Sequence, residues 1–216
     1  MARFRTMLAA GVTADELDGL FAAGWRKFGV CFFRPACPAC RQCIPLRIPV
    51  AAFRPGKSQR RTRRRCAKVV CDWGGLMYRD ELFSLYARHA SRRFGAEASF
   101  DQFWHSFYEV HSPALQTEYR IDGKLAGAGF LDCSTRALSS VYFMFEPVFS
   151  RYRLGIYSII REIDLAARLG REFYYLGYWI AGNSHMAYKA EFFDHERLDW
   201  TSGRWRRAER PVRTSR

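Results

Sequence analysis

Five polar side chains in the second half of the chain, Tyr142, Glu146, Tyr178, Tyr188 and Lys189, fall near the ends of what read as strands and a short helix. From there they can be aimed into one crevice. Such a set can orient an ester, accept a proton and pair with an acid. It contains no recognisable nucleophile: there is no G-x-S-x-G elbow, Walker loop or H-E-x-x-H, and Cys133 has no evident His partner. A second constellation is Cys37-x-x-Cys40-x-x-Cys43. Three thiolates at that spacing can meet one zinc ion or an iron–sulfur cluster, with Cys66 or Cys71 as a fourth ligand, or they can serve as packed or turn-forming free cysteines. The third constellation is electrostatic. Arg54 to Lys68 holds eight Lys or Arg in fifteen residues with no acid, through Arg54, Lys57, Arg60, Arg61, Arg63, Arg64, Arg65 and Lys68. With Arg204 to Arg216, six Arg against one Glu, it carries thirteen of the fourteen net positive charges. Forked guanidinium donors suit phosphate oxygens, and a phosphate backbone rewards clustered charge by releasing counterions. No helix-turn-helix, finger spacing or aromatic RNP-like strand accompanies them, so the contact implied is with backbone and shape.

The elements that must position these groups follow from pattern. Thr13-Ala14-Asp15-Glu16 is a capping box that opens a short helix through Leu17, Leu20 and Phe21, and Gly24 ends it. Phe28 to Phe33 reads as one apolar strand delivering the cysteine run. Ile44 to Phe53 reads as a strand with Leu46, Ile48 and Val50 on one face and Arg47 on the other. Pro55-Gly56 turns the chain, and Ser58 caps the arginine-bearing helix. Leu76 to Phe94 has helical spacing, with His89 a packed or surface position, and Ser99-x-x-Gln102 opens a second, aromatic helix. Thr117 to Ile121, the turn Asp122-Gly123 and Lys124 to Leu131 form a hairpin, followed by a strand at Ser139 to Phe145. Arg151 to Leu169 is an amphipathic helix, Glu172 to Ile180 a strand, and Asn183 to Ala190 a short helix. The expected fold is α+β with a mixed sheet whose crevice lies near Phe145 to Gly155 and Tyr178 to Gly182.

Length and composition bound the function class. The 216 residues are 49% hydrophobic and 16% aromatic, enough for a core and too apolar for a disordered tail. The seven cysteines are odd in number and bunched early, which suits a reducing compartment better than a secreted disulfide scaffold. The N-terminus lacks a signal-peptide pattern, and no run approaches the roughly twenty apolar residues of a membrane span.

Phe33-Arg34-Pro35, the cysteine run with Pro45 and Arg47, Phe53-Arg54-Pro55 and Ser58-Gln59-Arg60-Arg61 resemble the bacterial aspartate/glutamate leucyltransferases and the related arginyl-tRNA–protein transferases. In order, Leu138 to Tyr142, Glu146-Pro147, Leu154-Gly155, Tyr175 to Ile180 and Met186 to Lys189 continue the resemblance. Family members place a further Cys-containing segment ahead of the part matched by Leu17 to Trp25, where about a dozen residues stand here. The chain is similar to a form shortened at the N-terminus. The resemblance implies a GNAT-like acyltransferase domain at 71–200, a Cys- and Arg-rich module at 1–70 and a disordered basic tail at 201–216. It implies a cytoplasmic enzyme that moves leucine or arginine from aminoacyl-tRNA to the amine of a protein beginning with Asp or Glu, with no cofactor required. On that reading Tyr142, Glu146 and Tyr178 are catalytic. Arg34, Arg47, Trp179, Tyr188 and Lys189 bind substrate, and Arg54 to Arg65 hold tRNA. Two alternatives are an acetyl-CoA-dependent N-acyltransferase, which Arg151 to Tyr157 fits poorly for want of a small-residue pyrophosphate loop, and a non-catalytic RNA-binding protein.

Overall fold

The computed structural model describes residues 2–95 and 97–208. It opens with β1 (Phe4–Leu8) and α1 (Ala14–Ala22). Thr13 caps α1 as its sequence requires, its hydroxyl accepting from the Glu16 amide while the Glu16 carboxylate accepts the Thr13 amide. The stretch expected to be one strand is a hairpin, β2 (Arg26–Phe28) and β3 (Cys31–Pro35). Gly29, at φ +53°, supplies the backbone conformation that reverses the chain, so the apolar run folds on itself. These strands form a small antiparallel sheet in the order β1-β3-β2.

The main sheet takes β4 (Ile44–Pro49), β5 (Val70–Gly74), β6 (Ala114–Ile121), β7 (Lys124–Cys133), β8 (Ala137–Phe145), β9 (Phe173–Trp179), β10 (Glu196–Asp199) and β11 (Arg204–Arg207). Their order is β11-β10-β4-β9-β8-β7-β6-β5. Among the described residues only β8 and β9 run parallel, joined by the crossover helix α5 (Leu154–Arg168). α5 and the arginine-bearing α2 (Lys57–Arg65) pack together, while α3 (Asp80–Phe94) lies against β7 and β8 and packs with α4 (Phe100–Phe107). Leu131, Leu138, Ile159, Ile160, Ile163 and Tyr174 centre one core under α5; Leu82, Leu85, Phe103, Phe130 and Met144 centre a second under α3 and α4.

β4, inside the module drawn at 1–70, is paired to β9, so the main sheet runs across that boundary. Residues 204–207 of the expected disordered tail form β11, because Trp205 packs on Tyr175 and its indole donates to the Ala22 carbonyl. Residues 209–216 of that tail lie outside the described residues.

Candidate active site

The parallel ladder between β8 and β9 lasts three rungs, Ala137 with Phe173 through Ser139 with Tyr175, and then stops although both strands continue. The cause lies in their other partners. Against β7, Phe130 pairs with Tyr142 and Leu131 with Ser140, which leaves Val141 as an extra residue in β8. Against β4, Leu46 pairs with Gly177 and Arg47 with Tyr175, which leaves Leu176 as an extra residue in β9. A bulge bends its strand. Two bulges directly beyond the last shared rung open a wedge between Ser140–Phe145 and Leu176–Trp179.

An opened sheet leaves backbone groups to satisfy. The buried guanidinium of Arg26 reaches from β2 to donate to the Ser139 hydroxyl and the Ser140 carbonyl on the β8 side. On the β9 side, Lys189 Nζ donates to the Tyr178 carbonyl at 2.9 Å from the turn Ala187–Glu191. Gly177 separates them, at φ +81°. A Cβ there would lie 3.4 Å from Lys189 Nζ and 3.8 Å from Arg26 Nε, so both cations approach the spot that a side chain would occupy. Burial drives Lys189 down to about 7, and Arg26 and Arg93 push it the same way. Arg26 is itself held below the usual arginine value by burial, against the raising effect of Asp132.

Tyr178 borders this wedge, with its hydroxyl turned away. It donates toward the Gly24 carbonyl at 2.8 Å and the Phe33 carbonyl at 3.2 Å, tying β9 to the small sheet. Burial lifts this phenol well above its ordinary value. Tyr142 lies among Tyr86, His89 and Phe107, and burial pushes it up to about 12, so at neutral pH it is a donor. Tyr188 is half-buried against the α5 core. His89 is packed, its Nδ1 3.1 Å from the Phe145 carbonyl and 3.3 Å from that residue's amide.

Three further expected residues are engaged with other side chains. Glu146 is ion-paired to Arg88 of α3 at 2.6 Å. Arg47 is a structural clamp: its Nε donates to Glu196 at 2.7 Å, and its guanidinium lies 3.8 Å from the centre of the Phe173 ring and 4.4 Å from that of Trp205. Trp179 sits under the guanidinium of Arg197 at 3.9 Å.

Arg34 lines a cavity of about 350 Å³ together with Arg5, Arg41, Cys37, Cys40, Cys43 and Trp200. The Tyr178 hydroxyl reaches the carbonyl of Phe33, the residue before Arg34, so the cavity neighbours the end of the side chain that turns away from the wedge. The cysteines are gathered here, yet among the described residues no group of three His, Cys, Asp or Glu side chains is arranged to hold a metal ion. The two sequence candidates for a fourth ligand are elsewhere. Cys66 ends α2 with its thiol on the Tyr152 carbonyl, pushed up to about 11 by burial, and Cys71 is in β5.

α2 begins one residue before the expected Ser58 cap. Gly56 is the cap residue, and its amide donates to Gln59 Oε1 at 2.7 Å. The inner face is Gln59 and Thr62, which leaves Arg60, Arg61, Arg63, Arg64 and Arg65 exposed, with Arg54 and Lys57 exposed just before them. Arg63 makes a two-toothed pair with Asp164, and Arg65 donates to the Arg151 carbonyl. Gln59 Nε2 donates to the Glu191 carbonyl at 3.3 Å, which joins the arginine helix to the turn bearing Lys189.

Arg26 and Lys27 were not legible as site residues, since buried cations are rare and the pair precedes an apolar run with no motif. Their only sequence signal is adjacent charge where the capping-box helix gives way to that run.

Similarity to known proteins bears on the fold and the family. Among solved structures, FemX superposes with a TM-score of 0.55 at 11% identity, covering 82% of this chain and 63% of that one. The C-terminal domain of a putative lysylphosphatidylglycerol synthetase from Agrobacterium fabrum gives 0.51 at 16%, covering 82% and 57%. Both likenesses are of fold. The aspartate/glutamate leucyltransferase of Chromobacterium violaceum is 34% identical over 206 residues, 90% of this chain and 83% of that protein. The protein of the same name from Chromohalobacter salexigens is 36% identical over 198 residues, 88% of this chain and 78% of its own length. Residues 2–61 match the family described as arginine-tRNA-protein transferase, N terminus, and residues 80–199 its C terminus, so the chain belongs to the arginine-tRNA-protein transferase family.

Proposed function

We propose that this protein transfers an amino acid, leucine in preference to arginine, from aminoacyl-tRNA to the N-terminal amine of a protein or peptide beginning with Asp or Glu. The observation that carries the reading is how the two family segments meet. The N-terminal match supplies Arg26, Arg34 and the first two arginines of α2, Arg60 and Arg61, the C-terminal match supplies β8, β9 and Lys189, and the two sides close on one wedge. The name shared by the curated relatives supports leucine as donor and an acidic acceptor.

An aminoacyl ester is already activated, so the protein needs to bind, align and handle protons rather than spend a nucleotide. α2 holds the tRNA backbone, and its contact with the Lys189 turn brings the 3′ end toward the wedge. The acceptor's acidic side chain enters the Arg5, Arg34 and Arg41 cavity, and its amine reaches around Tyr178 to the ester. Tyr142 is a donor to developing oxyanion charge. The setting is cytoplasmic, where charged tRNA is present, and among the described residues no helix is long and apolar enough to cross a membrane. Acetyl-CoA is disfavoured because Arg151 to Tyr157 sets bulky Leu154, Ile156 and Tyr157 around a single glycine, where a pyrophosphate loop needs a run of small residues.

The test is incubation with tRNA charged with labelled leucine or arginine and peptides beginning Asp, Glu, Arg or Ala. Label should pass from leucyl-tRNA to the Asp and Glu peptides. Transfer only from acetyl-CoA, or RNA retention without transfer, defeats the reading. Arg34→Ala should lose roughly tenfold or more on acidic peptides while sparing the Ala peptide, because a charge-assisted contact is worth about 1.5–3 kcal/mol. Equal losses on both would remove Arg34 from selectivity.

A further inference from the structure

An α-amine reaches the site at neutral pH mostly as ammonium, and it must lose a proton before its nitrogen can attack an ester. Neither carboxylate near the wedge is open to an incoming amine. Glu146 is held by Arg88, and Glu162 lies under the sheet with the Tyr174 hydroxyl on it. Lys189 differs from both. It is half-buried at the mouth of the opened ladder, directed by one hydrogen bond to the Tyr178 carbonyl, and the glycine beside it carries no side chain to crowd its Nζ.

We propose that Lys189 is the catalytic proton acceptor for the incoming α-amine, and that Arg26 is a positioning residue that holds the β8 edge of the wedge beside it. This rests on the tRNA-dependent reading above. The charged groups facing Lys189 are Arg26 from β2 and Arg93 from α3; Tyr178 of β9 offers its carbonyl, and the neighbour on its own turn is Tyr188. In cationic, desolvated surroundings the lysine titrates at about 7, so a large share of it carries a free lone pair at neutral pH. A neutral amine still has hydrogens for the Tyr178 carbonyl while its lone pair accepts.

The step balances. The acceptor nitrogen gives one proton to Lys189, forms its bond to the ester carbon, and pushes the carbonyl π electrons onto oxygen. The tetrahedral adduct collapses as the carbon–oxygen bond to the terminal ribose breaks. The second proton lost by nitrogen goes to that ribose oxygen, and Lys189 returns its proton to solvent.

The experiment uses the full chain, leucyl-tRNA, and two acceptors: an Asp-initiated peptide, and the same peptide carrying an aminooxy terminus whose nitrogen is unprotonated at neutral pH. Lys189→Arg keeps a cation able to donate to the Tyr178 carbonyl but unable to yield its proton. It should lose about 10²- to 10⁴-fold in kcat on the amine, keep its KM for leucyl-tRNA, and largely retain transfer to the aminooxy peptide. Lys189→Gln, with thermal melting on both variants, separates folding from chemistry. In the wild type, kcat should rise with pH through about 7. Arg26→Met, by removing a neighbouring positive charge, should move that limb to higher pH. Retained amine transfer by Lys189→Arg, equal losses on both acceptors, or an unmoved limb in Arg26→Met overturns the proposal. A wild type that transfers from no charged tRNA defeats the functional reading as well, and that result is read without any variant.

Discussion

Glu162 sits on the inward face of α5 at 1% exposure, with Tyr174 donating to one carboxyl oxygen and the other left without a partner among the described residues. Gly129 of β7 makes room for it, since a Cβ there would come 3.2 Å from its Oε1. Burial drives this acid up to about 7 against the opposing hydrogen bond from Tyr174. Between the ordinary value of 4.5 and about 7, the folded chain keeps a proton that the unfolded chain has released. Stability therefore falls as pH rises across that window and levels off above it, by about 3 kcal/mol in all. Glu162→Gln should remove this slope, and urea unfolding of both proteins from pH 4.5 to 8 measures it. A wild-type minus variant difference that stays flat would mean the carboxylate is solvated in solution.

The arginine helix shows how an element can be built for outward charge. Its inner face is polar rather than apolar, Gln59 and Thr62 packing toward α5 and the Lys189 turn, so α2 lies on the domain and still projects five guanidiniums. These five are not equivalent. Arg63 is tied to Asp164 and Arg65 to the Arg151 carbonyl, whereas Arg61 and Arg64 stand exposed to solvent. Arg61→Gln with Arg64→Gln should therefore weaken tRNA binding more than Arg63→Gln with Arg65→Gln. The first pair of changes should also reduce the slope of log K against log salt by about 0.7–0.9 for each phosphate that is no longer neutralised. Filter binding across a salt series reads both quantities, and equal slopes in all variants would place the tRNA on another surface.

At the scale of the molecule, the small sheet is stapled to the large one by buried charge. Lys27 Nζ meets Asp132 of β7 at 2.8 Å with both side chains 2% exposed, and the next residue back, Arg26, grips β8. Burial raises Asp132 above the ordinary carboxylate value, opposed first by Lys27 and then by Arg26. Removing one partner leaves a buried charge uncompensated, so Lys27→Met should cost about 3–5 kcal/mol of stability, and Lys27→Met with Asp132→Leu should recover most of it. Denaturant unfolding with both variants tests this, and a small loss in the single variant would mean that water reaches Asp132. Because the same hairpin carries Arg26 into the wedge, loosening this junction also impairs transfer.

The capping box at Thr13, the Asp122-Gly123 hairpin, the α5 stripe and the outward charge of α2 were legible because each is set by neighbours a few residues apart. Family membership was legible for a related reason, several short motifs recurring in a fixed order. The wedge was not legible. It arises where two strands take unequal registers against different partners, and a bulge at Val141 or Leu176 leaves no mark on the alternation of either strand. The same holds for Arg26, which meets Ser139 and Ser140 more than a hundred positions away, and for Arg47, Glu146 and the Tyr178 hydroxyl, whose partners come from other elements. Local sequence set what each element is and which face carries charge; only the tertiary structure decided which buried cations share an opening in the sheet, because desolvation and pairing depend on residues that meet only when the chain has folded.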